Sequence, residues 1–233
     1  IDTPKKYEKV NLPNGTEDTP YLINNSLLDN FVDTYKDNLS ILNLSANNGS
    51  LFKLGDNKWI FTPEDNYNGI ININFDIQDD NGNYNYIQES NSFYINPVND
   101  FPEKIGDQAS LSDSPEDTPY LIEGNILLQG FTDIDGDSLS IQNLSSNYGN
   151  FLNNQDGTWT FTPNADYNGI VDFTYEVFDG GKYIDSSNSF TLVPIDDPPR
   201  LTGEKISIST SREDDPRVIS ESDLLKGFVD VDG

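Results

Sequence analysis

An all-β chain of tandem two-sheet sandwich domains is the fold class this sequence predicts, and three observations predict it. One motif returns at a nearly constant spacing. Apolar and polar residues alternate in short runs. Gly, Asn, Asp and Pro punctuate those runs wherever the chain must turn.

The repeat sets the domains. Glu17-Asp18-Thr19-Pro20-Tyr21-Leu22-Ile23 returns as Glu116-Asp117-Thr118-Pro119-Tyr120-Leu121-Ile122, and again as Glu213-Asp214-Asp215-Pro216-Arg217-Val218-Ile219. The first two copies begin 99 residues apart and the next two 97 apart. Trp59-Ile60-Phe61-Thr62-Pro63 likewise recurs as Trp159-Thr160-Phe161-Thr162-Pro163, and a Tyr-Asn-Gly-Ile follows in each copy. Such a period exceeds a solenoid unit of roughly 20–50 residues and suits whole domains in series. The expected organisation is repeat one at 1–100, repeat two at 101–197 and the first part of a truncated third at 198–233. Asp2-Thr3-Pro4 matches the inter-repeat Asp100-Phe101-Pro102, so the chain is expected to open inside a junction and to stop mid-loop at Gly233.

The strands follow from alternation. Ile70–Ile77 and Ile170–Val177 place apolar residues at every second position, the period of a half-buried strand; Leu39–Leu44 and Leu139–Leu144 form another pair. Asn48-Gly49, Asn68-Gly69, Asn81-Gly82, Asp156-Gly157 and Asn168-Gly169 supply the positive φ angles of tight turns. About seven short strands per copy, with turns roughly every ten residues, predict a sandwich of two antiparallel sheets. Long helical periodicity is absent, and Glu221–Gly227 offers one helical turn at most. Trp59, Trp159, Tyr67 and Tyr167 could form sugar platforms, but their recurrence within the strand pattern favours core positions. Asn-X-Ser/Thr triplets such as Asn43-Leu44-Ser45 are weak signals in an Asn-rich chain.

Composition narrows the chemistry. Forty acidic residues against 13 basic ones leave a net charge of −27, which repels nucleic acid and anionic membranes and attracts cations or basic surfaces. There is no Cys, so no disulfide. The chain has no His either, which removes the usual general base and zinc ligand. No run approaches the roughly 20 apolar residues of a membrane span.

Carboxylates carry what remains. Asp133-Ile134-Asp135-Gly136-Asp137 crowds three acids into five residues, with equivalents at Asp33-Thr34-Tyr35-Lys36-Asp37 and Asp230-Val231-Asp232-Gly233. Such acids repel one another unless a hard cation takes their oxygens. Ca²⁺ accepts six to eight at roughly 2.3–2.6 Å, whereas Mg²⁺ prefers a rigid octahedron with several waters. An oxygen-only donor set favours calcium over zinc or copper. An EF-hand counted from Asp133 fails at Ser138 and Leu144, where Gly and a bidentate Glu are needed. The glycine-aspartate repeat of calcium β-rolls is missing. The competing reading is an acidic turn that is merely solvated.

Other acids recur at element ends: Glu17, Glu116 and Glu213 opening each repeat, Asp79 and Asp179 after a strand, and Asn99-Asp100 and Asp196-Asp197 at the junctions. The order Glu, Asp-X-Asp, strand ending in Asp, then Asn-Asp-X-Pro resembles the cadherin repeat. It is most similar to the cadherin-like tandem repeats of very long bacterial surface adhesins. That resemblance covers nearly the whole chain and implies immunoglobulin-like Greek-key sandwiches with calcium ions seated between successive domains. Carried over, one junction would use Glu17, Asn99, Asp100, Asp133, Asp135, Asp137 and Asp179. The next would use Glu116, Asp166, Asp196, Asp197, Asp230 and Asp232. Repeat one departs from the pattern at Tyr35 and Lys36, so its own upper site, reaching back through Asp2, should be weaker or empty.

The resemblance implies an extracellular, calcium-stiffened spacer or stalk at a bacterial cell surface. Its partners would be calcium, the neighbouring repeats and a cell-surface or glycan ligand bound through other domains. The alternative is a carbohydrate- or partner-binding accessory module of a secreted protein. Paired carboxylates can hydrolyse glycosides, but acids repeated at the same turns of both copies argue against an enzyme. About three calcium ions at each of two junctions would cancel roughly 12 charges and leave about −15, a residue of acidity suited to solvation.

Overall fold

Ile71, Ile73, Phe75 and Ile77 are buried, whereas Ile70 before them and Asn72 and Asn74 between them are exposed; Asp76 alone among the intervening residues is buried. Val171, Phe173, Tyr175 and Val177 repeat the pattern one period later. Each run lays one apolar face on a core, and a one-residue slip would turn that face to water. The computed structural model describes residues 4–79, 86–214 and 216–232; Asp2, the Asn81-Gly82 turn, Asp215 and Gly233 lie outside them. The chain divides into two units, Ile1–Asn99 and Asp100–Gly233.

In the first unit the strands are β1 (Lys5–Lys6), β2 (Gly15–Thr16), β3 (Tyr21–Ile23), β4 (Phe31–Val32), β5 (Leu39–Ala46), β6 (Gly49–Gly55), β7 (Lys58–Pro63), β8 (Gly69–Asp79) and β9 (Tyr86–Asn96). A four-stranded sheet in the order β2-β9-β8-β5 and a three-stranded sheet β3-β7-β6 make the sandwich, while β1 pairs with β4. The second unit repeats this with β10 (Glu103–Lys104), β11 (Ser114–Pro115), β12 (Tyr120–Glu123), β13 (Phe131–Thr132), β14 (Ser140–Ser145), β15 (Gly149–Asn153), β16 (Thr158–Pro163), β17 (Gly169–Phe178) and β18 (Tyr183–Val193). Its sheets are β11-β18-β17-β14 and β12-β16-β15, with β10 on β13. The last residues add β19 (Arg200–Leu201) paired with β20 (Phe228–Val229). The all-β class read from alternation is therefore the class observed.

One pairing departs from the all-antiparallel expectation. Gly15 lies beside Ile95 and Ser114 beside Leu192 in parallel register, so β2 and β11 each close an edge of the larger sheet. Two residues carry no alternation, which leaves such a strand without a pattern to read. A bulge interrupts β5 after Leu42 and β14 after Gln142, where Asn43 and Asn143 adopt φ of 49° and 56°. Their amides donate to Asp76 at 2.6 Å and Glu176 at 2.7 Å.

Both cores are aromatic at the centre. Phe61 and Phe161 are fully buried, each edge-on to the Phe of the facing sheet, Phe93 at 5.6 Å and Phe190 at 5.3 Å. Gly49 is required by close approach: a Cβ there would stand 2.4 Å from the Thr62 carbonyl and 2.5 Å from the Phe61 ring. Among the described residues, helix is limited to single turns at Asn25–Leu28, Gly124–Leu127 and Glu221–Leu224. The first two carry the fully buried Leu27 and Leu127 into the two cores. Trp59 is buried in its core as expected, whereas Trp159 is half-buried. The rings of Tyr67 and Tyr167 pack on their cores, and their hydroxyls donate to the carbonyls of Ile70 and Ile170.

Candidate metal centre

The Asp-X-Asp turn of the second unit leaves β13 directly. Asp133 Oδ1 accepts the N–H groups of Asp135 at 2.9 Å and Asp137 at 3.2 Å, and its carbonyl accepts from Gly136 at 3.3 Å. Gly136 supplies the φ of 79° that closes this ring of bonds. The other carboxylate oxygen, Oδ2, is buried and has no hydrogen-bond partner among the described residues. Asp133, Asp135 and Asp137 each bring an oxygen within 4.8 Å of the others. At that separation each like-charge pair costs about 1 kcal/mol in water and several times more where water is excluded. Asp135 in turn accepts the N–H of Asp100 at 2.7 Å.

The same turn is built elsewhere in the chain. In the first unit Asp33 is 4% exposed; its Oδ1 accepts from Tyr35 at 2.8 Å and Asp37 at 3.1 Å, and its Oδ2 is again buried without a partner. Near the end of the chain Asp230 accepts from Asp232 at 3.1 Å. Asp179, 7% exposed, holds a different turn: its Oδ1 accepts the N–H groups of Gly181 and Lys182, both at 2.6 Å, between β17 and β18.

Glu17 and Glu116 are only 1% exposed. Glu116 Oε1 accepts the N–H of Ile195 at 2.9 Å and Oε2 accepts the Asn168 amide at 3.4 Å. Glu17 accepts from Val98 and from the Asn68 amide in the same way. None of the ion pairs among the described residues involves Glu17, Glu116, Asp33 or Asp133. A buried carboxylate without a counter-charge costs several kcal/mol. Orphaned oxygens, buried acids without cationic partners and an all-oxygen donor set together fit a hard divalent cation.

A second group forms within the same unit. Asp117, Asp166 and Asp197 each place an oxygen within 4.8 Å of the other two. Asp166 has a φ of 58° and gives its N–H to Asp117 at 2.9 Å; Asp197 gives its own to Asp232 at 2.6 Å. Arg200 enters this group with both guanidinium arms on Asp166 at 2.9 Å and one on Asp197 at 3.2 Å. Loss of water raises the Asp197 carboxyl above its ordinary range; Arg200 opposes that rise, and the charges of Asp117, Asp166 and Asp232 add to it. Hydrogen bonding to Asp166, with the charges of Asp166 and Asp197, holds the guanidinium proton more tightly than usual.

The structure thus brings together Asp133 with Asp135 and Asp137, Asp100 with Asp135, Asp166 with Asp197, and Asp197 with Asp232. Glu116 instead secures the chain at Ile195, Asp179 sits in its hairpin, Asn99 is half-buried at the end of the first unit, and Asp196 is exposed. Sequence reasoning missed Asp117 and Arg200. The recurring Glu-Asp pair was the available signal for Asp117, since Asp18, Asp117 and Asp214 all take positive φ.

A family model for the cadherin-like domain matches residues 2–95 and again 98–193. No curated protein matches the chain. Among solved structures, the extracellular cadherin domains 1–5 of protocadherin gamma B2 align over 86% of this chain and 41% of theirs, at 14% identity and a TM-score of 0.51. Human protocadherin-24 EC1-2 aligns over 85% of this chain and 99% of its own, at 10% identity and a TM-score of 0.50. At these identities the likeness is one of fold. An endo-fucoidan hydrolase of glycoside hydrolase family 107 also aligns, at 17% identity and a TM-score of 0.34, and the chain spans 29% of its length.

Proposed function

The chain belongs to the cadherin-like domain family, and from that premise we propose that it is a calcium-binding spacer, a run of repeats within an extracellular adhesin of a bacterial surface. Cadherin-like repeats are adhesion-type extracellular modules, and cadherin domains typically bind Ca²⁺. None of the described helices is long and apolar enough to cross a membrane. The proposal is non-enzymatic, and the repetition of the same acids at the same turns supports it.

The observation that carries the calcium reading is the divided carboxylate of Asp133. One oxygen is committed to two N–H groups of its loop, and the other is buried without a hydrogen-bond partner among the described residues. Leaving a buried acceptor unsatisfied costs about 1–3 kcal/mol, more when it is charged. A divalent ion would relieve that cost and the repulsion among Asp133, Asp135 and Asp137 together. The residues proposed to hold calcium are Glu17, Asn99, Asp100, Asp133, Asp135, Asp137 and Asp179 in one set, and Glu116, Asp166, Asp196, Asp197, Asp230 and Asp232 in the other. Calcium would supply electrostatic cross-linking between segments whose acids otherwise repel. Extracellular modules bind it at about 10⁻⁴–10⁻³ M, so these sites would fill outside cells and stay mostly empty in cytosol.

Thermal unfolding with millimolar calcium and then with chelator tests this reading. A site of about 10⁻⁴ M affinity adds about 1.4 kcal/mol at 1 mM ligand, enough to raise the melting temperature by several degrees. A melting curve indifferent to both additions would refute calcium binding. Small-angle scattering tests the spacer role: the chain should be longer on average and less variable in calcium than in chelator. A glycan array addresses the carbohydrate-binding alternative, since a spacer should leave it blank.

A further inference from the structure

Two acidic positions change together between the repeats, and the structure explains why. Asn66 and Asp166 occupy the same turn, with φ of 55° and 58°, and each gives its N–H to the Asp that follows the opening Glu of its repeat. Glu103 and Arg200 both open a two-residue strand, one paired with Thr132 and the other with Val229. Where the turn gains an acid, the strand exchanges an acid for a base. The acid and the base then find each other across 34 residues of sequence: Arg200 donates a hydrogen bond to Asp166 Oδ2, stands in ion-pair range of Oδ1 and also reaches Asp197.

We propose that Arg200 is a resident cation of the Asp117–Asp166–Asp197 group and takes the place of one divalent ion there. The inference rests on the calcium reading above. A guanidinium is planar, always charged and shaped to meet a carboxylate with two parallel bonds. It hydrogen-bonds Oδ2 of Asp166 and neutralises its charge, while Oδ1, buried and 2.9 Å from the other arm, keeps no hydrogen-bond partner among the described residues. Bound so, it withholds oxygens of Asp166 and Asp197 from calcium and puts a positive charge beside the same group. Side-chain exposure of 47% leaves the arginine free to be replaced without disturbing a core. The Asp117–Asp166–Asp197 group is therefore partly neutralised without metal and takes up one calcium ion fewer than its carboxylates could hold.

Calcium titration by calorimetry on the full 233-residue chain tests this. Arg200→Ala and Arg200→Glu should each bind one more equivalent than the wild type, or bind the weakest equivalent at least tenfold tighter. Adding Asp166→Asn to Arg200→Ala should remove that gain. Calcium binding that is the same within twofold with and without Arg200 overturns the inference alone. Absence of binding in every form, wild type included, is instead the failure of the calcium reading. A second measurement needs no metal: in chelator, amide exchange at Asp197, Thr202 and Gly203 should quicken at least fivefold in Arg200→Ala. Unchanged exchange there would mean that the guanidinium orders nothing.

Discussion

In the first repeat the Asp33 carboxylate caps the N–H groups of Tyr35 and Asp37; in the second, Asp133 caps those of Asp135 and Asp137 over nearly the same distances. Both leave Oδ2 buried and without a hydrogen-bond partner among the described residues. The residues between them differ. Repeat two has Asp135 and Gly136, whereas repeat one has Tyr35, 74% exposed, and Lys36 at a φ of 64°. Backbone geometry and charge are thus set by separate positions. The leading Asp and its two N–H bonds make the turn, and the next two residues decide how many oxygens it offers. Because the turn and its orphaned oxygen are common to both repeats, the difference proposed in their calcium binding rests on the donor count.

The strongest way to break the comparison is to remove the scaffold both turns stand on. Phe161 is fully buried and touches Phe151 and Phe190. Phe161→Ala should cost about 3–5 kcal/mol, read as a lowered denaturation midpoint. An equal loss is expected for Phe61→Ala, since Phe61 is equally buried against Phe93. A loss below 1 kcal/mol in either would show that its sandwich does not depend on that ring.

Next in size is the leading Asp itself. Asp133→Ala removes both the cap and the orphaned oxygen, and should weaken the calcium binding proposed for this turn by about tenfold or more. Asp33→Ala, in a turn with fewer acids and a lysine, should change total calcium uptake by less than twofold. Equal losses in the two variants would erase the distinction drawn between the turns. Smaller again is conversion of one turn into the other. Tyr35→Asp with Lys36→Gly gives repeat one the acid and the glycine of repeat two, and should strengthen calcium binding near Asp33 severalfold. Unaltered titration would mean that donor number in the turn is not what limits it.

How much of this was legible follows from where each signal lies along the chain. The strands β8 and β17 announced themselves because burial forces alternation onto consecutive residues. The Asp133 turn was equally visible, since Asp133, Asp135 and Asp137 serve one another within five positions. Asp166 and Arg200 meet across 34 residues and Asp117 and Asp166 across 49, so nothing local records either contact. The parallel edge strands were hidden for a related reason. Gly15-Thr16 and Ser114-Pro115 owe their register to the long strands beside them and carry no period of their own.

The smallest effect isolates backbone from charge. Lys36 and Gly136 fill the same place in their turns, with φ of 64° and 79°. A side chain in this left-handed region crowds its own carbonyl at a cost of about 1–2 kcal/mol. Glycine avoids that crowding but loses more freedom on folding, about 0.5–1 kcal/mol. Lys36→Gly alone should therefore stabilise the first repeat by about 0.5–1 kcal/mol, measured in chelator so that metal plays no part. The turn keeps its Asp33 bonds to Tyr35 and Asp37, which involve no side chain of Lys36. Destabilisation instead would mean that the lysine contributes more through its charge among the acids than it costs in strain, and that the first repeat, like Arg200 in the second unit, carries a cation of its own.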